Sequence, residues 1–415
     1  LQLVYNMAHT LIIDIGKTNK KALVFDQNFK IVHEVSAQIP ETVDEDGFPC
    51  EDLEALENWI EDAQSAAFQL PGIQIEHMSC TAYGASLVHL DADGMPIAPL
   101  YNYLKPFPPD LLDEFLAKYG PAEKICLETA SPLLGNLNSG LQLYWLKHRR
   151  PHIYEKIKYS LHLPEWVSRT IGGSYRALEV TSLGCHTLLT DVRKGDYHHW
   201  VKAEGLTDKL TPIPSPEPPG MDTGLHDSSS ALYPYLCLME EPFLLISTGT
   251  WCISMNPFND EPLTLEEMQQ DCLYYIQMDG TLVKSARYFG GNEHEEGVKK
   301  IAEELGVSPD FYQKEIPEGS VLEQKYDELM RNIVEKQAQS TRLALGNSKV
   351  KRLIVDGGFA HNSRYLRGLA NAFPHLSVYA AEVPHASALG AALYLHTSWT
   401  TDQVPEHMMR LQKIS

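Results

Sequence analysis

Apolar residues follow two rhythms in the first seventy positions. Leu11-Ile12-Ile13 and Ala22-Leu23-Val24-Phe25 are short unbroken runs, as in strands buried within a sheet, and the pattern predicts strands over 10–15, 21–27 and 30–38. Then Leu53, Leu56, Trp59, Ile60, Ala63 and Ala67 recur at helical spacing from Cys50 to Leu70, and Pro71-Gly72 stops the helix. Two more strands are expected between Ile73 and Leu90, around a turn at Tyr83-Gly84-Ala85-Ser86.

Residues 106–170 read as helical, with breaks at Pro132, Pro151 and Pro164. Five prolines between Leu210 and Gly220 predict an extended linker, followed by a helix from Asp227 to about Glu240. The second half opens on a strand at Phe243-Leu244-Leu245-Ile246. Helices are expected at 292–306, 321–346, Ser363–Phe373 and Ser387–Tyr394, with strands at Arg352–Val355 and Ser377–Ala380. Alternating strands and helices indicate an α/β fold with a mixed sheet in each half. The break falls near Pro242, giving domains 7–241 and 242–415, with Met7 as the expected natural start.

One local feature occurs twice. Leu11-Ile12-Ile13 leads into Asp14-Ile15-Gly16-Lys17-Thr18-Asn19-Lys20-Lys21, and Phe243–Ile246 leads into Ser247-Thr248-Gly249-Thr250. Each joins a buried strand to a returning strand through a Gly/Thr turn. Glycine lets the backbone approach a bulky anion, and hydroxyls with free N–H groups supply donors. Such a pair, one in each half, suggests duplicated domains that hold the phosphates of one nucleotide.

Composition narrows the partners. Asp and Glu number 55 against 34 Lys and Arg, a formal charge of −21, which opposes binding to nucleic acid or an acidic membrane. Lys17, Lys20 and Lys21 would then be a local concentration of cations for phosphate. Seven dispersed cysteines without a CxxC pair read as reduced thiols of a cytoplasmic protein, and no apolar run is long enough to span a bilayer. No GxxxxGK[ST] loop or GxGxxG fingerprint occurs.

Four motifs in order resemble the FGGY family of carbohydrate kinases, within the sugar kinase/actin/Hsp70 superfamily. They are Asp14-Ile15-Gly16-x-Thr18-x-x-Lys21, Gly224-x-His226-Asp227, Gly249-Thr250, and Val355-Asp356-Gly357-Gly358-x-x-x-Asn362 with Ser387-Ala388-Leu389-Gly390-Ala391-Ala392. The neighbourhood is similar to rhamnulose, fuculose and xylulose kinases. The resemblance implies two actin-like (ribonuclease H-like) domains with an active-site cleft between them. It also implies ATP and Mg²⁺ and a small sugar substrate; many relatives are homodimers, and the sequence leaves the oligomeric state open.

The same resemblance assigns roles. Asp227 is the general base, although Asp before Ser-Ser-Ser also reads as a helix N-cap. Asp14 would hold Mg²⁺ through water, or cap its own turn. Gly16, Thr18, Asn19 and Lys21 would meet the phosphates from one domain, and Gly249 and Thr250 from the other. Gly357, Gly358 and Asn362 would line the adenosine, with Gly290-Gly291 bordering the adenine. Lys17 departs from the family's small residue and either adds a phosphate contact or projects into water.

Tyr83, Asn102, Tyr103, Asn138 and His226 are candidate sugar contacts, since a polyol needs hydroxyl and amide partners over an aromatic surface. Tyr83 and Tyr103 fit equally well as core aromatics. His198-His199 lacks a carboxylate at ligand spacing, and His294 reads as a solvated helix start. The function expected is ATP-dependent phosphorylation of a ketose or polyol. The alternative is a catalytically silent sugar or nucleotide sensor on the same fold.

Overall fold

The computed structural model describes residues 8–173, 179–213, 223–395 and 408–414. The prolines from Pro214 to Pro219, and the segment 214–221 that lacks an apolar lead into His226, lie outside the described residues. The chain forms two compact units. The first runs to Leu238 and adds Tyr274–Thr281 and His385–Glu406; the second takes Met239–Leu273, Leu282–Pro384 and His407–Ser415.

In the first unit, Ala8–Ile15 is the middle strand of a five-stranded sheet. It pairs antiparallel with Lys20–Phe25, which pairs antiparallel with Ile31–Ala37. On its other edge it runs parallel to Gln74–Ala82, and Leu225–His226 follows, again parallel. Both faces of the middle strand are covered, which is why its apolar run does not alternate with polar residues. Leu11, Ile13 and Ile15 share a cluster with Leu56, Ile60 and Ala63 of the helix Leu53–Phe68, and with Trp166 and Val167. Asp52 caps that helix by accepting the Ala55 N–H at 2.9 Å.

The helix Ala386–Tyr394 packs on Asp227–Leu238. A methyl group on Gly390 would overlap the Ser230 carbonyl oxygen, and the Ser230 hydroxyl donates to the Ser387 carbonyl at 2.7 Å. The run of small residues therefore permits close packing of two helices within the first unit.

The second unit repeats the plan of strands. Phe243–Thr248 pairs antiparallel with Cys252–Asn256, which pairs antiparallel with Leu282–Tyr288. On its other edge it runs parallel to Arg352–Gly357, and Ser377–Glu382 follows in parallel. Edge strands at Cys272–Ile276 and Arg410–Lys413 extend the sheet to seven.

Most expected elements match within a few residues. The region 106–170 differs. Pro151 and Pro164 sit in the first turns of Pro151–Tyr154 and Leu163–Thr170, where a missing N–H costs nothing, so they begin helices rather than break one. Tyr159–His162 is a strand paired with Leu87–Leu90. The strands Cys272–Ile276 and Leu282–Tyr288 had no counterpart in the sequence reading: the first is an apolar run of only five residues, and Lys284, Ser285 and Arg287 interrupt the second. No helix among the described residues is long and apolar enough to cross a membrane.

Candidate active site

Sheet geometry brings Asp14, Lys21 and Asp227 together. Asp14 and Lys21 are register partners across the first hairpin, whose turn closes with the Gly16 N–H on the Asn19 carbonyl at 2.9 Å. Asp227 follows the strand Leu225–His226, whose His226 is in register with Ala82, and it opens the helix Asp227–Leu238. Burial raises the Asp14 carboxyl to about 7; the Asp227 charge adds to the rise and Lys21 opposes it. Asp227 keeps about 31% of its side chain exposed. Its Oδ1 accepts the Ser228 N–H at 2.6 Å and the Ser228 hydroxyl at 3.2 Å. The second carboxylate oxygen remains for a ligand.

His226 is buried beside this group. Its Nε2 lies 3.3 Å from Asp227 Oδ1 and 3.2 Å from Cys185 Sγ, and its ring meets Tyr275 edge to face. Burial holds its pKa below the usual histidine value. The His226 N–H donates to Thr181 Oγ1 at 2.8 Å, and that hydroxyl donates to Glu179. Glu179 caps Val180–Leu183 through the N–H groups of Thr181 and Ser182 and is itself raised to about 7 by burial. A side chain at Gly84 would place its Cβ 2.6 Å from Cys185 Sγ and 3.1 Å from His226 Nε2. Only glycine lets the Tyr83 turn sit this close.

The expected sugar contacts divide. Tyr83 is buried, bonded to Glu51 and packed edge-on against Tyr103 at 6.1 Å, so it belongs to the core cluster. Asn102 Oδ1 accepts the Leu104 N–H at 3.0 Å, fixing its own turn. Asn138 is fully buried. Its Nδ2 donates to the carbonyls of Pro132 (3.0 Å) and His186 (2.6 Å), and its Oδ1 accepts the Leu134 N–H at 2.6 Å. These bonds hold a loop.

The three clustered lysines also divide. Lys17 reaches Glu41 at 2.7 Å and Glu51 at 3.2 Å, over the Tyr83 ring. It is therefore ion-paired rather than a solvated charge. Lys20 is buried against Glu51 at 3.1 Å. Thr18 and Asn19 are exposed at the turn, and Asn19 Oδ1 accepts from Gln38 at 3.0 Å.

The second unit holds a cavity of about 660 Å³. Gly249, Gly358 and Asn362 line it, as do Thr248 and Gly291. Thr250 and Gly357 are exposed and are not among its walls. Thr248, which the motif reading passed over, organises one wall: its hydroxyl donates to the Asp356 carbonyl at 2.5 Å and accepts the Phe359 N–H at 3.0 Å. Gly357 has φ +83°, and a methyl group there would overlap the Thr248 carbonyl oxygen. Asn362 caps Ser363–Ala372, accepting the N–H groups of Arg364 and Tyr365 at 3.1 Å each, while its Nδ2 meets the Tyr326 hydroxyl at 2.9 Å.

His294 is also in the cavity wall and is buried, not solvated. It bonds the Tyr326 hydroxyl at 3.1 Å and stands edge-on to Tyr312 and Phe359, and burial lowers its pKa to about 4. The helix spacing of Gly290–Leu305 puts His294 on the same face as Val298 and Ile301, a signal the charged neighbours Glu293 and Glu295 masked.

The FGGY family of carbohydrate kinases matches by its N-terminal domain over residues 9–213 and by its C-terminal domain over 240–329. The chain belongs to the FGGY family of carbohydrate kinases. A rhamnulokinase of Halalkalibacterium halodurans is 25% identical over 269 residues, covering 60% of this chain and 56% of that protein. An L-fuculokinase of Salmonella typhi is 24% identical, covering 59% and 56%. The match thus spans little more than half the length of these relatives.

Among solved structures, a carbohydrate kinase from Novosphingobium aromaticivorans aligns with a TM-score of 0.75 at 23% identity, over 98% of this chain and 94% of that one. A ligand-bound xylulose kinase from Lactobacillus acidophilus aligns with a TM-score of 0.77 at 13% identity, over 98% and 93%. The fold is the two-domain actin-like fold of FGGY kinases.

Two features of this FGGY chain were invisible in its motifs. Cys185 and Glu179 reach His226 from a segment with no family signature. Glu128 comes to His198 from 70 residues away, and with His199 their donor atoms lie within 4.8 Å of one another. His198 Nδ1 accepts the Trp200 N–H at 3.5 Å, so Nε2 carries the proton and donates to Glu128 at 2.8 Å. In that tautomer the ring has no lone pair for a metal at Nε2.

Proposed function

We propose that this chain transfers the γ-phosphoryl group of Mg-ATP to a hydroxyl of a sugar, a ketose or a polyol, with Asp227 as general base. The observation that carries the reading is the partly exposed Asp227 carboxylate beside half-buried Asp14 and Lys21. Ser228 fixes one oxygen of Asp227, and the other takes the proton of the sugar hydroxyl. As that proton leaves, the sugar oxygen bonds to the γ-phosphorus and the bridging P–O bond to ADP breaks. Lys21 opposes the charge developing on the transferred group. His226, with its ring held by Cys185, serves as a sugar contact next to the base.

Asp14 fits a magnesium role. Two facing carboxylates with one raised to about 7 form a site short of positive charge, and a hard divalent cation supplies it. When bound, Mg²⁺ neutralises the phosphate oxygens. Asp14 would hold it through water. Each unit offers one turn for phosphate, Gly16–Asn19 in the first and Gly249–Thr250 in the second. The 660 Å³ cavity accepts adenosine between Gly358, Asn362 and the ring of Tyr312. Seven free cysteines, six of them buried, suit a cytoplasmic enzyme.

A coupled ADP-release screen with Mg-ATP over ketoses (rhamnulose, fuculose and xylulose among them), aldoses and polyols tests this. Release dependent on one sugar is expected. Sugar or nucleotide binding with no ADP release from any acceptor overturns the reading in favour of a silent sensor.

A further inference from the structure

The phosphate lysine of this fold has a partner that its motif does not include. Lys21 Nζ lies 2.9 Å from His385 Nδ1, and Nε2 of the same ring lies 3.3 Å from Glu34 Oε2. All three residues belong to the first unit. His385 precedes the helix Ala386–Tyr394 with φ +51°, in the left-handed region that non-glycine residues seldom adopt, and its side chain makes no capping bond. The strained backbone thus turns the ring away from its own helix and toward Lys21.

We propose that His385 is a positioning residue that holds Lys21 in place for an incoming phosphate group, and that Glu34 keeps the ring in the tautomer this requires. The proposal rests on the kinase reading above. A lysine ammonium is a point charge on a flexible stem, so its direction must be imposed. A carboxylate in the place of His385 would impose it but would cancel the charge. A neutral imidazole accepts one N–H and leaves the other two, with the full charge, for phosphate. Glu34 selects the tautomer by accepting the Nε2 proton, which makes Nδ1 the acceptor.

The device has a pH limit. The charged groups facing His385 are Lys21, from Lys20–Phe25, and Glu34, from Ile31–Ala37; Asp14, from Ala8–Ile15, acts on Lys21. Burial and the Lys21 charge hold His385 below the usual histidine pKa, so it is neutral at pH 7. Protonation in acid would place a second cation 2.9 Å from Lys21 and release it.

The test compares wild type, His385→Leu and His385→Gln between about pH 5.5 and 8. Glutamine keeps an acceptor for Lys21 and a donor for Glu34 but does not titrate. His385→Leu should raise the KM for ATP about tenfold, with kcat changed less than about threefold. His385→Gln should restore that KM at pH 7.5 and remove the rise in KM that wild type shows at the acid end. A leucine variant with the wild-type KM, or a glutamine variant with the wild-type pH profile, overturns the proposal.

Two readouts need no turnover. Histidine ¹⁵N spectra should show His385 protonated at Nε2 at pH 7.5, and the opposite tautomer refutes the arrangement. Calorimetric binding of a non-hydrolysable Mg-ATP analogue should weaken in His385→Leu and recover in His385→Gln. If wild type releases no ADP with any sugar, the kinase reading fails, while these two measurements still decide the role of His385.

Discussion

Gly291 at the start of the helix Gly290–Leu305 lies directly against Gly249, so close that a methyl group on Gly291 would overlap the Gly249 carbonyl oxygen. The Asn292 N–H also donates to the Thr250 carbonyl at 3.2 Å. Helix start and the Gly249–Thr250 turn are therefore fitted to each other by the missing side chain. Gly291→Ala is expected to displace the turn and raise the KM for ATP by about tenfold or more. Steady-state kinetics with a fixed sugar check this, and far-UV circular dichroism should show the helix content retained.

Asp227→Ala should lower kcat by about 10²- to 10⁴-fold, because the sugar hydroxyl loses its proton acceptor. Binding of Mg-ATP, followed by calorimetry, should change little. Near-normal turnover in this variant would remove Asp227 from the chemistry.

The position of Asp14 has a structural cost. Its folded-state pKa of about 7 lies above the usual carboxylate value, so the folded form binds the proton more tightly than the unfolded chain. Stability from this group is complete below the unfolded pKa and is lost as pH rises through 7. Asp14→Asn is expected to stabilise the metal-free protein at pH 8 by on the order of 1–3 kcal/mol, while abolishing phosphoryl transfer. Thermal melts at pH 5 and pH 8 test the sign: the gain should shrink at the lower pH. Added Mg²⁺ should raise the melting temperature of wild type more than that of the variant.

Asn138 separates a loop-holding role from a sugar-binding one. Three backbone groups depend on its amide. Asn138→Ala should destabilise the protein by about 2–4 kcal/mol in urea unfolding, since buried donors and acceptors lose their partners. The KM for sugar should stay within about twofold at temperatures where the variant is folded. A large KM change without a stability loss would return Asn138 to the substrate site.

His294 carries a pH signature in the other unit. Its pKa is lowered to about 4, so its contribution is present above the unfolded value of about 6.5 and is lost as pH falls toward 4. His294→Phe keeps a ring among Tyr312, Tyr326 and Phe359 but cannot titrate. Acid denaturation of that variant between pH 6.5 and 4 should be shallower than in wild type. An unchanged slope would show that His294 is not the group buried in its neutral form.

Much of the scaffold could be read along the chain because single local signals sufficed. Leu11-Ile12-Ile13 and Phe243–Ile246 announce fully buried strands, and the spacing of Leu53, Leu56, Ile60 and Ala63 announces the helix Leu53–Phe68. What stayed hidden depended on residues far apart. Nothing near Lys17 announces that Glu41 and Glu51 will claim it, and nothing near Lys21 points to His385, 364 positions away. Asn138 looked like a polyol ligand because its residue type suits one; only its three backbone partners reveal another use. His294 was hidden by acidic neighbours that share its turn but not its face.

The packing of Gly390 on Ser230 has a consequence for synthesis. The first unit needs the helix Ala386–Tyr394, which follows Met239–Leu273 and Leu282–Pro384 of the second unit in sequence, so a ribosome must make those stretches before the first unit can close. Until then the Ser230 side of its partner helix waits uncovered. A nascent chain arrested before Ala386 would leave that seam open to chaperones or to aggregation.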